Sequence, residues 1–228
     1  MTPRSVPAPG TVDVWTIDLA AADASAQAFA AQLGRDEIAR AARMRFAVHR
    51  VRFIARRYAY RDILSRYVGC QPRELEFVFG EFGKPTLAMQ GIEHNSTHRE
   101  AIAMLAVTGS SGVGIDVERV RDRGDHYEWL SAGERRQILL LPRANRTAEA
   151  LRMWTRKEAY VKALGIGVTA LDDGMRVPRE HAPQSTRWSI TDLDPAPGYV
   201  ASLAVPFDRP AIVTCRWTAS IAVSGTVQ

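Results

Sequence analysis

The stretch W-T-R-K-E-A-Y-V-K-A-L-G, Trp154 to Gly165, constrains the chain more than any other. Trp154, Val161 and Leu164 recur at helical spacing, and Gly165 falls where a left-handed C-terminal cap belongs. The segment predicts a helix. Trp154, Glu158 and Lys162 are each four residues apart and share one face, with Lys157 beside them. An i,i+4 Glu–Lys pair on a solvated helix would explain the last two for a few tenths of a kcal/mol. Two other features ask for more.

The first is lysine usage. Lys plus Arg number 30, yet the only lysines are Lys84, Lys157 and Lys162. Where almost every base is arginine, a lysine marks a place that needs a compact, mobile point charge instead of a planar fork. Two of the three lie on this helix and the third in Gly83-Lys84-Pro85. The second feature is Gly114-Ile115-Asp116-Val117-Glu118. Its alternation predicts a short strand with Asp116 and Glu118 on one face. That face is either the solvent side of an antiparallel strand or a cation site, since two carboxylates so close repel unless a cation lies between them. Glu158 as a third carboxylate would complete a hard-oxygen site of the kind Mg2+ favours, with Lys157 and Lys162 turned to the same phosphates. The two motifs together describe metal-assisted phosphoryl transfer.

G-I-D-V-E followed downstream by W-x-x-K-E-A-x-x-K resembles the paired signature of the 4'-phosphopantetheinyl transferase superfamily. The resemblance covers about residues 46–205. It implies an α+β fold of two similar halves in a pseudo-twofold arrangement, each a small antiparallel sheet packed on a long helix, with coenzyme A in the cleft between them. The chain length matches the larger, single-chain type that serves carrier proteins of secondary metabolism. The implied reaction moves the phosphopantetheine arm of coenzyme A onto a serine of an acyl or peptidyl carrier protein and releases 3',5'-ADP.

The resemblance also assigns residues. Asp116, Glu118 and Glu158 would hold Mg2+, with Mn2+ the alternative ion. Either Glu158 or a metal-bound water would take the serine proton. Lys162 would stabilise or protonate the leaving phosphate, and Lys157 would contact the same phosphates. Gly83, Lys84 and Pro85 match a G-K-P turn near the adenine. In His94-Asn95-Ser96-Thr97-His98, read as a polar loop, Asn95 and His98 match N-x-S-H, Thr97 keeps the hydroxyl, and His98 is a pyrophosphate ligand. Arg99 stands where a small residue is usual. Arg61 matches a basic position for the 3'-phosphate, with His49 a second candidate. Ser131 to Glu134 resembles a family S-x-x-E, but a capping box explains it and Glu134 is given no catalytic role.

The rest of the chain sets boundaries. With 46% hydrophobic and 24% charged residues, 228 residues suit one large or two small soluble domains. No apolar run approaches the ~20 residues of a membrane span, and the N-terminus lacks a signal-type segment. Cys70 and Cys215 have no metal or redox spacing, which points to the cytoplasm. A net charge of +5 favours acidic partners. Charge alone does not choose among nucleic acid, phosphates and an acidic protein. No base-reading module is found, so no nucleic acid is expected, and no membrane. The resemblance implies an acidic carrier protein as partner and a monomer. A non-catalytic coenzyme A-binding module and a basic nucleic-acid binder are the alternatives.

Residues 1–10 read as disordered, 11–110 as an N-terminal half and 111–228 as a C-terminal half carrying the metal site. Expected strands are Val12–Leu19, Glu74–Phe79, Ala101–Val107, Arg187–Ile190, Tyr199–Val205 and Ile212–Trp217. Expected helices are Ala20–Leu33, about Asp36–Val68 with a break near Phe46, Ser131 to about Leu141 stopped by Pro142, and the central helix capped by Thr147.

Overall fold

A computed structural model describes residues 2–21, 26–80, 82–88, 91–121, 127, 129–166 and 188–219. Two long helices and two sheets dominate. Helix α3 (Ala47–Val68) and helix α5 (Arg143–Leu164) lie on the outside of sheets stacked between them. The first sheet has the order β4-β5-β1-β9, from Glu93–Arg99, Ile102–Thr108, Thr11–Asp18 and Ala211–Trp217. The second has the order β6-β8-β7, from Gly114–Arg119, Tyr199–Val205 and Ser189–Leu193. A ribbon of β2 (Phe77–Phe79) and β3 (Pro85–Leu87) stands apart from both. Three further helices are α1 (Ala26–Ala30), α2 (Arg35–Ala42) and α4 (Ala132–Leu139). The pairing is antiparallel except between β1 and β9, and the expected α+β class holds.

Strand periodicity explains the layering. Trp15 and Ile17 of β1 and Leu105 and Val107 of β5 pack under α3, against Ala59 and Ile63. Val12 and Val14, with Met104 and Ala106, face the other way, onto Ile115, Val117, Ala201 and Leu203 of the second sheet. Strand β5 is thus covered on both faces, which is why it reads as an unbroken apolar run.

The elements depart from expectation in three places and keep to it in a fourth. Only Ala26–Ala30 of the Ala-rich segment is helical among its described residues, for alanine has propensity but supplies no apolar stripe to bury. The break near Phe46 is real: Phe46 is the extended N-cap of α3. His94–His98 is not a loop but part of β4, hydrogen-bonded along its length to β5. Helix α4 ends at Leu139, ahead of Pro142 as expected, but α5 starts from Pro142 as its N-cap and not from Thr147. Arg187 and the charged segment after Arg121 lie outside the described residues.

The chain ends do not follow the order of the halves. β9, the last strand, pairs with β1, the first. Its Trp217 Nε1 donates to the buried Asp62 of α3 at 2.7 Å. The Pro-rich start, which composition reads as disorder, is tied down as well: Arg4 Nε bonds Asp13 Oδ2 at 2.6 Å and its backbone N–H bonds the Arg66 carbonyl. Among the described residues no helix is long and apolar enough to cross a membrane.

Candidate active site

Helix α5 meets strand β6 at Gly114. A Cβ built there would lie 1.9 Å from the Ala159 carbonyl oxygen and 2.4 Å from the Ala163 amide nitrogen. Only a glycine lets the two backbones touch, and that contact sets Asp116 beside Glu158 and Lys162. Gly165 closes the helix in the left-handed region, φ 72°, as the cap signal predicts.

Asp116 is the centre of the arrangement. It is 6% exposed. Its Oδ1 accepts from Lys162 Nζ at 2.6 Å and from Thr97 Oγ1 at 3.0 Å. Its Oδ2 is buried with no hydrogen-bond partner among the described residues. Strand β4 brings Thr97 here because Asn95 Oδ1 accepts the Ile115 backbone N–H at 3.0 Å, joining the edges of the two sheets. Glu158 is buried on α5, 4.0 Å from Lys162 Nζ. Burial holds its carboxyl above the ordinary range; Lys162 opposes the shift, while Asp116 and Glu118 add to it. Glu118, two residues along the same face, is ion-paired with Arg99 at 3.0 Å.

Among the described residues no three carboxylate, histidine or cysteine side chains are gathered tightly enough to hold an ion together. Lys162 supplies the positive charge next to Asp116. The donor set nonetheless suits a hard dication. A buried carboxylate oxygen lacks a partner among the described residues, and a neighbouring carboxyl resists ionisation, through burial first and then the two other carboxylates near it.

The other residues singled out by sequence scatter around this centre. Lys157 bonds Glu134 Oε2 at 2.6 Å, and Glu134 also closes the capping box on Ser131. Lys84 donates to the Val113 carbonyl at 3.3 Å, and burial holds its ammonium below the usual lysine range. Pro85 opens β3, opposite Phe79. His98 points into a cleft of about 600 Å3 lined by Arg45, Phe46, His49, Arg52 and Arg56, among others. Burial, then the charges of Arg56, Lys162 and Arg99, push the His98 imidazole down to about 4. It is neutral at pH 7. Because Arg56 Nη1 approaches Nδ1 at 2.5 Å and can only donate, the ring proton sits on Nε2.

Arg61 is not in this cleft. It is 6% exposed, and its guanidinium is spent on Glu37 Oε2 at 2.7 Å and on the Pro72 and Leu75 carbonyls at 2.9 Å. It ties α2 and the turn after α3 to the helix. Of the basic residues that do line the cleft, the sequence singled out His49 and His98 but not Arg45, Arg52 or Arg56. Their signal was spacing: His49, Arg52 and Arg56 fall at i, i+3 and i+7 of α3, a basic stripe opposite the apolar one.

Residues 112–204 match the family model described as the 4'-phosphopantetheinyl transferase superfamily. The chain is 35% identical over 206 residues to the 4'-phosphopantetheinyl transferase HetI of Nostoc sp., covering 85% of this chain and 87% of that one. It is 26% identical over 199 residues to the 4'-phosphopantetheinyl transferase psf-1 of Bacillus pumilus, covering 75% and 83%. It is 32% identical over 113 residues to the 4'-phosphopantetheinyl transferase AcpT of Escherichia coli, covering 47% and 56%.

Proposed function

This chain belongs to the 4'-phosphopantetheinyl transferase superfamily, enzymes that transfer phosphopantetheine from coenzyme A to carrier proteins, and from that premise we propose that it modifies a serine of an acidic carrier protein, with Mg2+ bound and 3',5'-ADP released. The observation that carries this reading is Asp116, pinned by Thr97 and Lys162 with one oxygen left without a partner, next to a Glu158 held above the usual carboxyl range.

Asp116, Glu118 and Glu158 would hold the ion. When bound, it would supply positive charge to neutralise what develops as the P–O bond breaks. The residues of the chain do the rest. The serine oxygen bonds to the phosphorus that carries the pantetheine arm, and the bond from that phosphorus to the bridging pyrophosphate oxygen breaks. Glu158, raised toward neutrality, accepts the serine proton. Lys162 leaves Asp116 for the departing phosphate. His98 donates from Nε2 to a pyrophosphate oxygen, and the cleft arginines with His49 take the remaining phosphate charge. The Lys84–Pro85 turn lies at the adenine end. Glu134 holds Lys157 toward the same anions.

The same reading makes the protein a monomer of the cytoplasm acting on carriers of secondary metabolism. The two free, half-buried cysteines suit a reducing compartment. The test is direct. The protein is incubated with coenzyme A, Mg2+ and a panel of apo carrier proteins, and intact masses are read. One added phosphopantetheine on the carrier serine, abolished by EDTA, is the expected result. Coenzyme A bound with no mass shift on any carrier would leave a binding module.

A further inference from the structure

Helix α4 buries one side and bares the other in an unusual way. Ile138 is fully buried with Tyr127, Leu130 and Ala150. Leu139 and Leu140, the next two residues, are 51% and 87% exposed. Single exposed leucines need no explanation. Here two adjacent ones are bare, and their surroundings are all of one sign. From Arg135 to Ala148 the chain contains Arg135, Arg136, Arg143 and Arg146 and no aspartate or glutamate. Arg135, Arg136 and Arg143 are exposed. On a helix, Arg135 lies beside Leu139 and Arg136 beside Leu140, at i,i+4. The result is an apolar knob ringed by guanidinium groups.

This surface is wired to the active site. Glu134, in the first turn of α4, holds Lys157 at 2.6 Å, and Lys157 immediately precedes Glu158. Leu140 lies six residues beyond Glu134 along α4, a rise of about 9 Å at ~1.5 Å per residue. A carrier domain of ordinary size, with a radius of gyration of about 13 Å, can rest on α4 and still present a surface serine to Glu158.

We infer that Leu139 and Leu140, with Arg135, Arg136 and Arg143, form the seat of the carrier protein. The partner it fits has an apolar spot framed by carboxylates near its modified serine. This rests on the transferase reading and adds to it where the partner is gripped. The leucines supply the desolvated centre and the arginines the rim, which steers encounter and weakens with salt.

The experiment compares wild type with Leu140→Glu and with the double variant Arg136→Glu/Arg143→Glu, using coenzyme A, Mg2+ and a carrier that the wild type modifies. Leu140 is nearly free of contacts, so Tm stays unchanged. Coenzyme A affinity measured without carrier, and kcat, also stay as in wild type. The KM for carrier rises at least about tenfold in each variant, as for removal of a central contact. In the charge-reversed variant it no longer rises with ionic strength. Wild-type carrier KM in both variants overturns the inference and leaves the transferase standing. So does sedimentation showing a wild-type dimer that Leu140→Glu dissolves, since a second copy would then own the surface. A wild-type protein that modifies no carrier sinks both.

Discussion

Lys162 Nζ lies 2.6 Å from Asp116 Oδ1 and 4.0 Å from Glu158 Oε2, so an ammonium already stands where the site would take a metal cation. The two positive charges compete for one carboxylate cluster. Lys162→Met removes the resident cation without removing an oxygen ligand. Mn2+ affinity in the absence of coenzyme A should therefore rise in Lys162→Met, read by electron paramagnetic resonance or calorimetry. Turnover should fall by about 100-fold, the low end for loss of a positioned proton donor. Unchanged Mn2+ affinity would mean that the Lys162–Asp116 pair does not block the site.

The contact at Gly114 makes a stability prediction with a built-in control. A methyl group at 114 would meet the α5 backbone at 1.9 and 2.4 Å, and backbone cannot rotate away. Gly114→Ala should cost more than the about 1–3 kcal/mol usual for overpacking. At about 2–4 °C per kcal/mol for a chain of this size, Tm should drop by roughly 10 °C. Activity should vanish too, because α5 carries Glu158 and Lys162 away from Asp116. Gly133, on α4, has nothing within 4 Å of its would-be Cβ. Gly133→Ala should be neutral or slightly stabilising, by up to about 1 kcal/mol. Equal Tm for the two variants would contradict the close approach.

The site was legible where periodicity carried it. The four-residue spacing on α5 and the alternation in Gly114–Glu118 match the elements found, with Glu158 and Lys162 turned toward Asp116, while Trp154 packs on Trp129. Strand β4 was not legible. His94, Asn95 and Thr97 are polar, so the segment reads as a loop, yet all three are buried. Their polar atoms are placed by contacts far away in sequence, such as Thr97 to Asp116. Arg61 presents the opposite case. Its sequence position marks it as basic, but only the fold shows that Glu37 and two carbonyls consume its donors. The return of β9 to β1 has no local signal, since a strand pattern does not say which sheet it joins.

The division between Arg61 and the cleft cations can be measured. Arg61→Met leaves Glu37 with Arg57 and the Gly34 backbone N–H and strips two buried carbonyls of their donor. It should lose about 3–5 kcal/mol of stability, the cost of breaking a buried pair from one side. The coenzyme A KM of the folded fraction should stay at the wild-type value. Arg56→Gln and His49→Gln should do the reverse, raising coenzyme A KM about tenfold or more for a lost charge-assisted contact while shifting Tm little. A coenzyme A KM that rises in Arg61→Met at unchanged Tm would return Arg61 to the phosphate site.

Buried His94 should make the fold sensitive to mild acid. It is 3% exposed beside Phe77, and burial first, then Lys84 and Arg57, push its imidazole down to about 4 from the usual 6.5. In the unfolded chain it titrates near 6.5. Between those values the unfolded chain binds a proton that the folded chain refuses. Its contribution is therefore complete above about pH 6.5 and is lost as pH falls toward 4, at up to about 1.4 kcal/mol per pH unit. His98, also held to about 4, acts in the same window and with the same sign. Glu158, held above its ordinary value, works the other way, because the folded state takes up its proton first. Urea midpoints measured from pH 7 to pH 4.5 should fall steeply in wild type. In His94→Gln the slope should drop to roughly half, since His98 remains. A variant that keeps the wild-type slope would show that His94 accepts its proton in the folded protein.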